Sequence, residues 1–424
     1  MLNKNLPSVN SENESRNVKL FGLPAEQGRW FLILLGTLVL LCLGTVYSWS
    51  IFRDPIETSL DVGATESLLP YTFVLLFYSA LKPITGLYLD RLGTRRATIL
   101  GGLILGTGYV LSSFATNIHT LIFTYGVLVG TGVGIIYGIP MVVAARWFPD
   151  QKGLAVGLTI IGFGLSPVIT APLAKKAIDS YGVQQTLLIL GITFTVIILS
   201  ISTVLKLPPN GWKPKGWDAV ASNSNQENSQ HSHPNLWQRR SFYGLWICYT
   251  IGTLVGLSAI GISSPVAQEI INLDSNLAAA SVSLFALFNG LSRPIFGWLT
   301  DRFQPRYIAV ASYVMILIAT IMMMNAQSGQ VITYLIAFCI FWFCLGGWLA
   351  LAPTATLKLF NSENYARNYG IVFTAYGIGA LLGTLTAGRI RDIFGSYTYA
   401  FYPMALLAII GIVVAITTLK RDRA

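Results

Sequence analysis

Residues 81–91 read LKPITGLYLDR, and residues 292–302 read SRPIFGWLTDR. Both strings place a cation directly before a proline, continue through a glycine and end in Asp-Arg. The two cations are Lys82 and Arg293, which lie 211 positions apart (293 − 82) in a chain of 424 residues. A pattern that returns at half the chain length indicates a duplicated architecture.

The composition excludes an ordinary water-soluble domain, because 53% of the residues are hydrophobic and only 11% are charged. Soluble domains carry about twice that charged share. A helix needs roughly 20 apolar residues to cross a bilayer core about 30 Å thick. The sequence therefore predicts an all-α integral membrane protein, with twelve transmembrane helices in two pseudo-symmetric halves of six. The predicted spans are 30–52, 67–89, 97–115, 119–145, 153–173, 184–205, 242–263, 279–300, 307–325, 330–357, 370–388 and 399–419.

The distribution of lysine and arginine predicts the orientation of these spans. The two termini and the loops after even-numbered spans hold 21 of the 28 Lys and Arg residues, and the loops after odd-numbered spans hold 5. Because cytoplasmic loops are enriched in Lys and Arg, we expect a multi-pass protein of the cell (inner) membrane with both termini cytoplasmic. The predicted domains are a tail 1–29, a half 30–205, a cytoplasmic linker 206–241, a half 242–419 and a tail 420–424.

Lys82 and Arg293 each lie eight residues before the aspartate of their string, Asp90 or Asp301. At about 1.5 Å per residue, each lies roughly 12 Å inside the membrane edge. A charge at that depth costs on the order of 2.5–3.5 kcal/mol. All 18 acidic residues fall in termini, loops or span ends, so an anionic substrate is the natural counter-ion. The alternative is that helix carbonyls, Asn289 and water solvate the two cations.

The loops that follow the two strings resemble a known family. The first reads Gly-x-x-x-Asp-Arg-x-Gly-x-Arg-Arg from position 86, and the second reads Gly-x-x-x-Asp-Arg from position 297. Both are similar to the signature loop of the major facilitator superfamily. We expect these residues to act in gating, since an aspartate at a span end can cap the next helix and bind nearby arginines. The predicted gating residues are Gly86, Asp90, Arg91, Arg95, Gly297, Asp301 and Arg302.

Within that superfamily the chain most resembles the oxalate/formate antiporter group and its monocarboxylate-transporter relatives. The resemblance lies in YSWS at 47–50, in RWFPD followed by glycine at 146–153, and in Asn289-Gly290-x-x-Arg293-Pro294. It implies that Arg293 binds a substrate carboxylate. The oxalate carrier also uses a lysine in its eleventh span, and Tyr376 takes that place here.

One arginine and one lysine from opposite halves suit a carboxylate, because the guanidinium binds it with two donors and the ammonium adds a mobile point charge. We expect the site at the midplane, where the halves meet. Phenol, indole and amide donors would orient the substrate, although each aromatic residue could equally pack against lipid or protein. The predicted substrate-binding residues are Arg293, Lys82, Tyr47, Tyr376, Asn289, Trp49, Tyr137 and Trp348, with Tyr71 as a further candidate.

These observations predict a secondary transporter that moves a small organic mono- or dicarboxylate by alternating access. Because no acidic residue lies mid-span and no ATP-binding motif occurs, exchange or uniport is favoured over proton coupling or ATP drive. The alternatives are an exporter of drugs or other organic solutes with the same fold, and a membrane sensor. A multidrug exporter is expected to have an acidic cavity, whereas the charges inside these spans are positive.

The sequence predicts no enzyme, because the spans contain no paired carboxylates, no nucleophile with a base and no metal-ligand cluster. The four cysteines have no metal-ligand spacing, so we expect no metal and no cofactor. The basic excess follows from loop topology and predicts no nucleic-acid partner. The expected partners are the substrate anion and the lipid bilayer, and the expected functional form is a monomer.

Overall fold

The computed structural model describes residues 18–209, 212–214, 236–360 and 365–419, without the side chains of 85–90 and 366. A two-stranded hairpin, β1 and β2, precedes the helices of the first half. Its elements are β1 Lys19–Leu20, β2 Leu23–Pro24, α1 Ala25–Gly44, a 3-10 turn Thr45–Ser48, α2 Trp49–Leu60, α3 Ala64–Ser112, α4 Ile118–Leu121, a π-helical segment Ile122–Val129, α5 Gly130–Ile136, α6 Gly138–Trp147 and α7 Lys152–Ser202.

The second half consists of a short 3-10 turn, five long helices, another 3-10 turn and a final helix. These elements are a turn Leu236–Gln238, α8 Arg240–Glu269, α9 Ser275–Arg302, α10 Pro305–Met324, α11 Val331–Leu359, α12 Tyr365–Phe394, a turn Tyr397–Ala400 and α13 Phe401–Thr418. The tails 1–17 and 420–424, and most of the interval predicted as a linker, lie outside the described residues. The domain boundaries therefore stay a prediction.

Two of the helices contain a break at which the chain turns back. Gly93 in α3 has φ 70°, and Gly182 in α7 has φ 81°. Only glycine adopts such angles without steric cost. Ten helical segments of the described chain are long and apolar enough to cross a membrane. The part of α3 after Gly93 and the part of α7 after Gly182 add two, which gives twelve. The predicted all-α fold is confirmed.

Glycine-rich stretches let these spans approach one another closely. A Cβ atom on Gly130 would lie 2.8 Å from the Cα atom of Val74 in α3, so only glycine fits there. Gly126 and Gly134, one turn before and after it, meet Phe73 and Leu81 on the same helix. Such small-residue faces replace the hydrophobic drive that is absent between helices in lipid.

Burial distinguishes central from peripheral spans. The apolar window of α8 is 89% buried inside the protein, whereas that of α13 is 33% buried. Large apolar side chains such as Val413 and Ile416 on α13 stay exposed, as lipid-facing residues do. The side chains of α8 therefore meet protein partners around the whole helix.

We call the end of the bundle with the hairpin the termini side, and the opposite end the far side.

On the termini side an ion pair fixes the start of the first span to the end of the fourth. Arg29 donates from Nη1 and Nη2 to the two carboxylate oxygens of Asp150, at 2.6 and 2.8 Å. Its Nη1 also donates to the carbonyl of Trp147 at 3.0 Å, and its guanidinium lies 4.3 Å from the ring centre of Phe148. The RWFPD motif therefore supplies the carboxylate, the carbonyl and the aromatic ring that hold Arg29 in place.

The hydrogen bonds from Arg29 lower the pKa of Asp150 below its ordinary value. A depressed carboxyl pKa stabilises the folded state above the unfolded pKa of about 3.9, and that contribution is lost as the pH falls through the folded value. We expect Asp150→Asn to destabilise the protein by roughly 1.5–3 kcal/mol at pH 7, the scale of a hydrogen bond to a charged group. Thermal unfolding of both proteins between pH 7 and pH 3 should show this difference shrink below about pH 4. A difference that grows on acidification would contradict this role.

Candidate functional site

Arg293 lies in α9 of the second half, and its side chain contacts the first half. Its side chain is buried, its Nη1 donates to the carbonyl of Ile160 in α7 at 2.7 Å, and its Nη2 donates to Oδ1 of Asn289 at 3.2 Å. Its Nε is buried without a hydrogen-bonding partner. All of these partners are neutral, so the positive charge is oriented but not compensated.

Two local features place Arg293. Asn289 lies one helical turn earlier and is itself fixed, because its Nδ2 donates to the carbonyl of Trp342 in α11 at 2.9 Å. Gly164 in α7 faces the guanidinium: a Cβ there would lie 2.8 Å from Asn289 Oδ1 and 3.1 Å from Arg293 Nη2. Glycine at this position therefore leaves the space that the guanidinium occupies.

Lys82 lies in α3, in the first half, and its ammonium is surrounded by aromatic rings. Its Nζ lies 3.9 Å from the ring centre of Tyr137, 4.9 Å from that of Phe373 and 5.9 Å from that of Tyr78. Ring faces attract cations, by about 2 kcal/mol or more when desolvated. In the described part of the chain no carboxylate pairs with Lys82. Tyr137 is a predicted site residue, whereas Phe373 and Tyr78 are not among the residues predicted from the sequence.

Tyr47 and Tyr376 join the two halves beside this cluster. Their hydroxyls are 2.9 Å apart, and both side chains are fully buried. The Tyr376 ring lies 5.5 Å from that of Tyr78 and stacks at 5.2 Å on Phe373, which contacts Lys82. The structure thus brings Lys82, Tyr47, Tyr137 and Tyr376 together, with Arg293 and Asn289 on the facing helix.

Two predicted aromatic residues lie apart from these cations. Trp49 donates from Nε1 to the carbonyl of Ser67 at 2.9 Å and packs on Tyr125 at 4.4 Å, so its contacts lie within the first half. The Tyr71 hydroxyl donates to the carbonyl of Leu257 at 3.3 Å. These contacts account for both residues without a substrate, because their polar atoms are already paired.

Trp348 has a different position, within the second half. Its ring stacks on that of Tyr249 at 6.2 Å and lies 5.4 Å from that of Tyr313. Its Nε1 is buried without a hydrogen-bonding partner. A Cβ on Gly252 would lie 2.4 Å from that nitrogen, so the indole edge faces the backbone of α8.

The predicted gating residues form no lock between the halves within the described part of the chain. Arg91, Arg95, Asp301 and Arg302 are exposed on the termini side, and the surroundings of Gly86 and the side chain of Asp90 lie outside the described part of the chain. Asp301 does not cap the next helix, because Gln304 occupies the N-cap of α10.

The end of α9 makes two other contacts on this side. The Nζ of Lys358 donates to the carbonyls of Thr300 and Asp301. Arg302 lies 4.2 Å from the ring centre of Trp298. A Cβ on Gly297 would meet nothing, so this glycine has open space before it in this conformation. A gating role for these residues stays a prediction.

Another buried cation, Arg53, lies towards the far side. The predicted first span ends at residue 52 and leaves Arg53 in a loop, but the helix continues to Leu60 and buries Arg53 completely. Its Nη2 pairs with Glu57 at 2.7 Å, its Nε donates to Ser67 at 3.0 Å, and its Nη1 reaches the carbonyl of Gly261 in α8 at 3.4 Å. Glu57 compensates the charge of Arg53, and the contact with the carbonyl of Gly261 joins the two halves.

Aspartates extend this fastening across the far side. Asp392 in α12 accepts hydrogen bonds at 2.9 Å from the backbone N–H groups of Ala64 and Thr65, at the start of α3. Gln268 in α8 donates to Asp54 in α2 at 2.5 Å. These contacts join the two halves on the far side.

The family profile described as the Major Facilitator Superfamily matches residues 30–279 and 245–424. The chain belongs to this superfamily. It is therefore a multi-pass membrane protein of a transporter family, whose members act on small molecules. The resemblance predicted from the signature loops is confirmed.

Similar proteins include an oxalate:formate antiporter from Oxalobacter formigenes, 28% identical over 401 residues, with 93% of this chain and 92% of the relative covered. Monocarboxylate transporter 14 from Homo sapiens is 25% identical, with 78% of each chain covered. A solved bacterial homologue of the human lysosomal transporter Spinster, inward-facing and unoccupied, superposes with a TM-score of 0.71 at 15% identity, covering 93% of this chain and 98% of its own. This last similarity is one of fold.

The close approach of Gly164 to Arg293 gives a matched pair of substitutions. Gly164→Ala would push Asn289 and the guanidinium aside, so we expect at least a roughly tenfold loss of affinity for a carboxylate ligand, about 1.4 kcal/mol. Gly157→Ala, on the same helix, meets no atom within 4 Å and should leave affinity unchanged. Calorimetric titration of both purified variants measures this. Equal affinities would show that the position of Arg293 does not matter for binding.

Proposed function

We propose that this chain is a secondary transporter that moves a small organic anion, a mono- or dicarboxylate, by alternating access. One observation carries the proposal: Lys82 and Arg293 face the interface from opposite halves, and their described partners are neutral. Charges buried without a carboxylate partner keep their attraction for an anion. A substrate with a carboxylate supplies the missing negative charge.

The hydrogen bonds of Arg293 support binding through the Nε edge of the guanidinium. A guanidinium has five N–H donors, and two of them are used by Ile160 and Asn289. Nε–H and one further N–H on each Nη remain, and Nε lies on the same edge as one Nη. A carboxylate can accept two parallel hydrogen bonds from that edge.

Lys82 suits the second contact, because its ammonium is held by ring faces and forms no ion pair in the described residues. A substrate would not have to displace a carboxylate from it. A ligand that reaches both Lys82 and Arg293 spans the two halves. Its binding energy therefore depends on their relative position, which is the condition for coupling a ligand to a conformational change.

The relatives support a carboxylate through their printed names, an oxalate:formate antiporter and monocarboxylate transporters. We further propose a monomer in the cell (inner) membrane with both termini cytoplasmic, on the 21-to-5 split of Lys and Arg. On that orientation the far side faces outward. Exchange or uniport follows from the absence of acidic residues at the centre of the spans.

The function is tested by counterflow in proteoliposomes. Vesicles loaded with unlabelled oxalate, formate, lactate, pyruvate, malonate or succinate are diluted into the labelled anion at equal internal and external pH. We expect internal anion to accelerate uptake for at least one of the six. Uptake that requires an inward proton gradient and stops with an uncoupler would overturn exchange. Binding of hydrophobic cations but none of the carboxylates would favour the alternative, an exporter of organic solutes.

Substitutions at the two cations separate charge from geometry. Arg293→Lys keeps the charge but loses the two-donor edge, so we expect transport to fall at least tenfold. Arg293→Ala and Lys82→Ala should each weaken anion binding by roughly 1.5–3 kcal/mol, the scale of a hydrogen bond to a charged group. Lys82→Arg should be mildest, since a cation remains among the rings.

Anion affinity and thermal stability are measured for each of these four variants. If the affinities stay unchanged while stability falls, the two cations have a structural role and the proposed binding site is wrong.

A further inference from the structure

Tyr249, in the central helix α8, has a buried hydroxyl that the proposed site does not yet use. The side chain is fully buried, and its Oη has no hydrogen-bonding partner. The neighbouring phenol of Tyr369 does not complete a hydrogen bond to it. A buried hydroxyl without a partner costs about 1–3 kcal/mol, and such groups in native proteins call for a ligand or a water.

The Tyr249 ring lies close to the groups around Lys82. The Tyr249 ring lies 6.3 Å from that of Phe373, which is itself 4.9 Å from the ammonium of Lys82. The groups that interact electrostatically with the Tyr249 phenol include Arg293, Tyr47 and Tyr137, which come from both halves. On its other side the ring stacks on Trp348, which fixes its direction.

Arg293 Nε–H and Tyr249 O–H are buried donors of the second half that have no partner in the described residues, as is the indole N–H of Trp348. A carboxylate on the Arg293 edge uses the first. When that carboxylate places both of its oxygens on the Arg293 edge, a ligand with another acceptor oxygen can also accept from the Tyr249 hydroxyl. A simple monocarboxylate has no such additional oxygen.

We propose that Tyr249 is a specificity-determining residue, and that the preferred substrates are carboxylates with a second acceptor, such as 2-oxo acids and short dicarboxylates. This inference rests on the proposed function, because it needs a carboxylate at Arg293. A site built to hydrogen-bond a substrate oxygen rejects analogues that lack it far more strongly than an apolar pocket rejects a missing methylene.

The experiment compares three ligands with the same number of carbon atoms. Propionate has one carboxylate, pyruvate replaces its C2 methylene with a carbonyl, and malonate replaces its methyl group with a second carboxylate. We expect wild-type protein to bind pyruvate or malonate at least tenfold more tightly than propionate. Tyr249→Phe keeps the ring and removes only the hydroxyl, so it should reduce that preference to about twofold without weakening propionate. Calorimetric titration of purified protein gives all six affinities, and the cycle isolates the hydroxyl term.

Tyr313→Phe is the matched control in the same half. Its hydroxyl donates to the carbonyl of Cys248 and already has a partner. We expect this variant to lose thermal stability and keep the ligand preference, whereas Tyr249→Phe should keep its stability.

The possible results separate this inference from the function on which it rests. If wild-type protein binds none of the three anions, the proposed function fails. If it binds them without preferring pyruvate or malonate, or if Tyr249→Phe keeps the preference, only the role of Tyr249 fails. An equal loss for all three ligands in Tyr249→Phe would also overturn it, because the hydroxyl would then act on the shared carboxylate.

Discussion

The Arg293 guanidinium contacts the carbonyl of Ile160 and so joins the two halves at the level of the site. The arrangement of the groups around it follows from the free-energy cost of burying its charge. An ion in a medium of low dielectric constant needs partners. Arg293 has a backbone carbonyl and an amide oxygen, and Lys82 has three aromatic rings. These neutral groups hold the cations in place and leave their charge available.

Arg53 shows what the alternative looks like in the same protein. It is as deeply buried as Arg293, yet it is paired with Glu57 at 2.7 Å and reaches across to α8. An ion pair satisfies the charge within the protein, so nothing further is attracted. The chain therefore uses buried arginine in two ways. At Arg29 and Arg53 a carboxylate within the protein compensates the charge, whereas at Arg293 only neutral groups accompany it, and there we propose that an anion binds.

Glycine and tyrosine residues determine the packing and the hydrogen bonding at the rest of the interface between the halves. Gly164 leaves room for the guanidinium, and Gly130 brings the second and fourth spans together. The Tyr47–Tyr376 pair closes the space beside Lys82 with hydroxyls that satisfy each other. Tyr249 is not satisfied in this way, and that difference distinguishes a phenol that packs from one that is free to bind.

The sequence by itself determined the twelve spans, the duplication and the two uncompensated cations, because apolar length, half-length repeats and charge inside a span are properties of position along the chain. It could not show that Arg53 is buried, since that depends on the helix running on to Leu60 and on the neighbours α3 and α8 provide. It also placed Trp49 with the site, although the fold turns that indole to Ser67. The ring faces around Lys82 and the unpaired hydroxyl of Tyr249 are contacts between residues far apart in the chain, and only the packing of the two halves decides them.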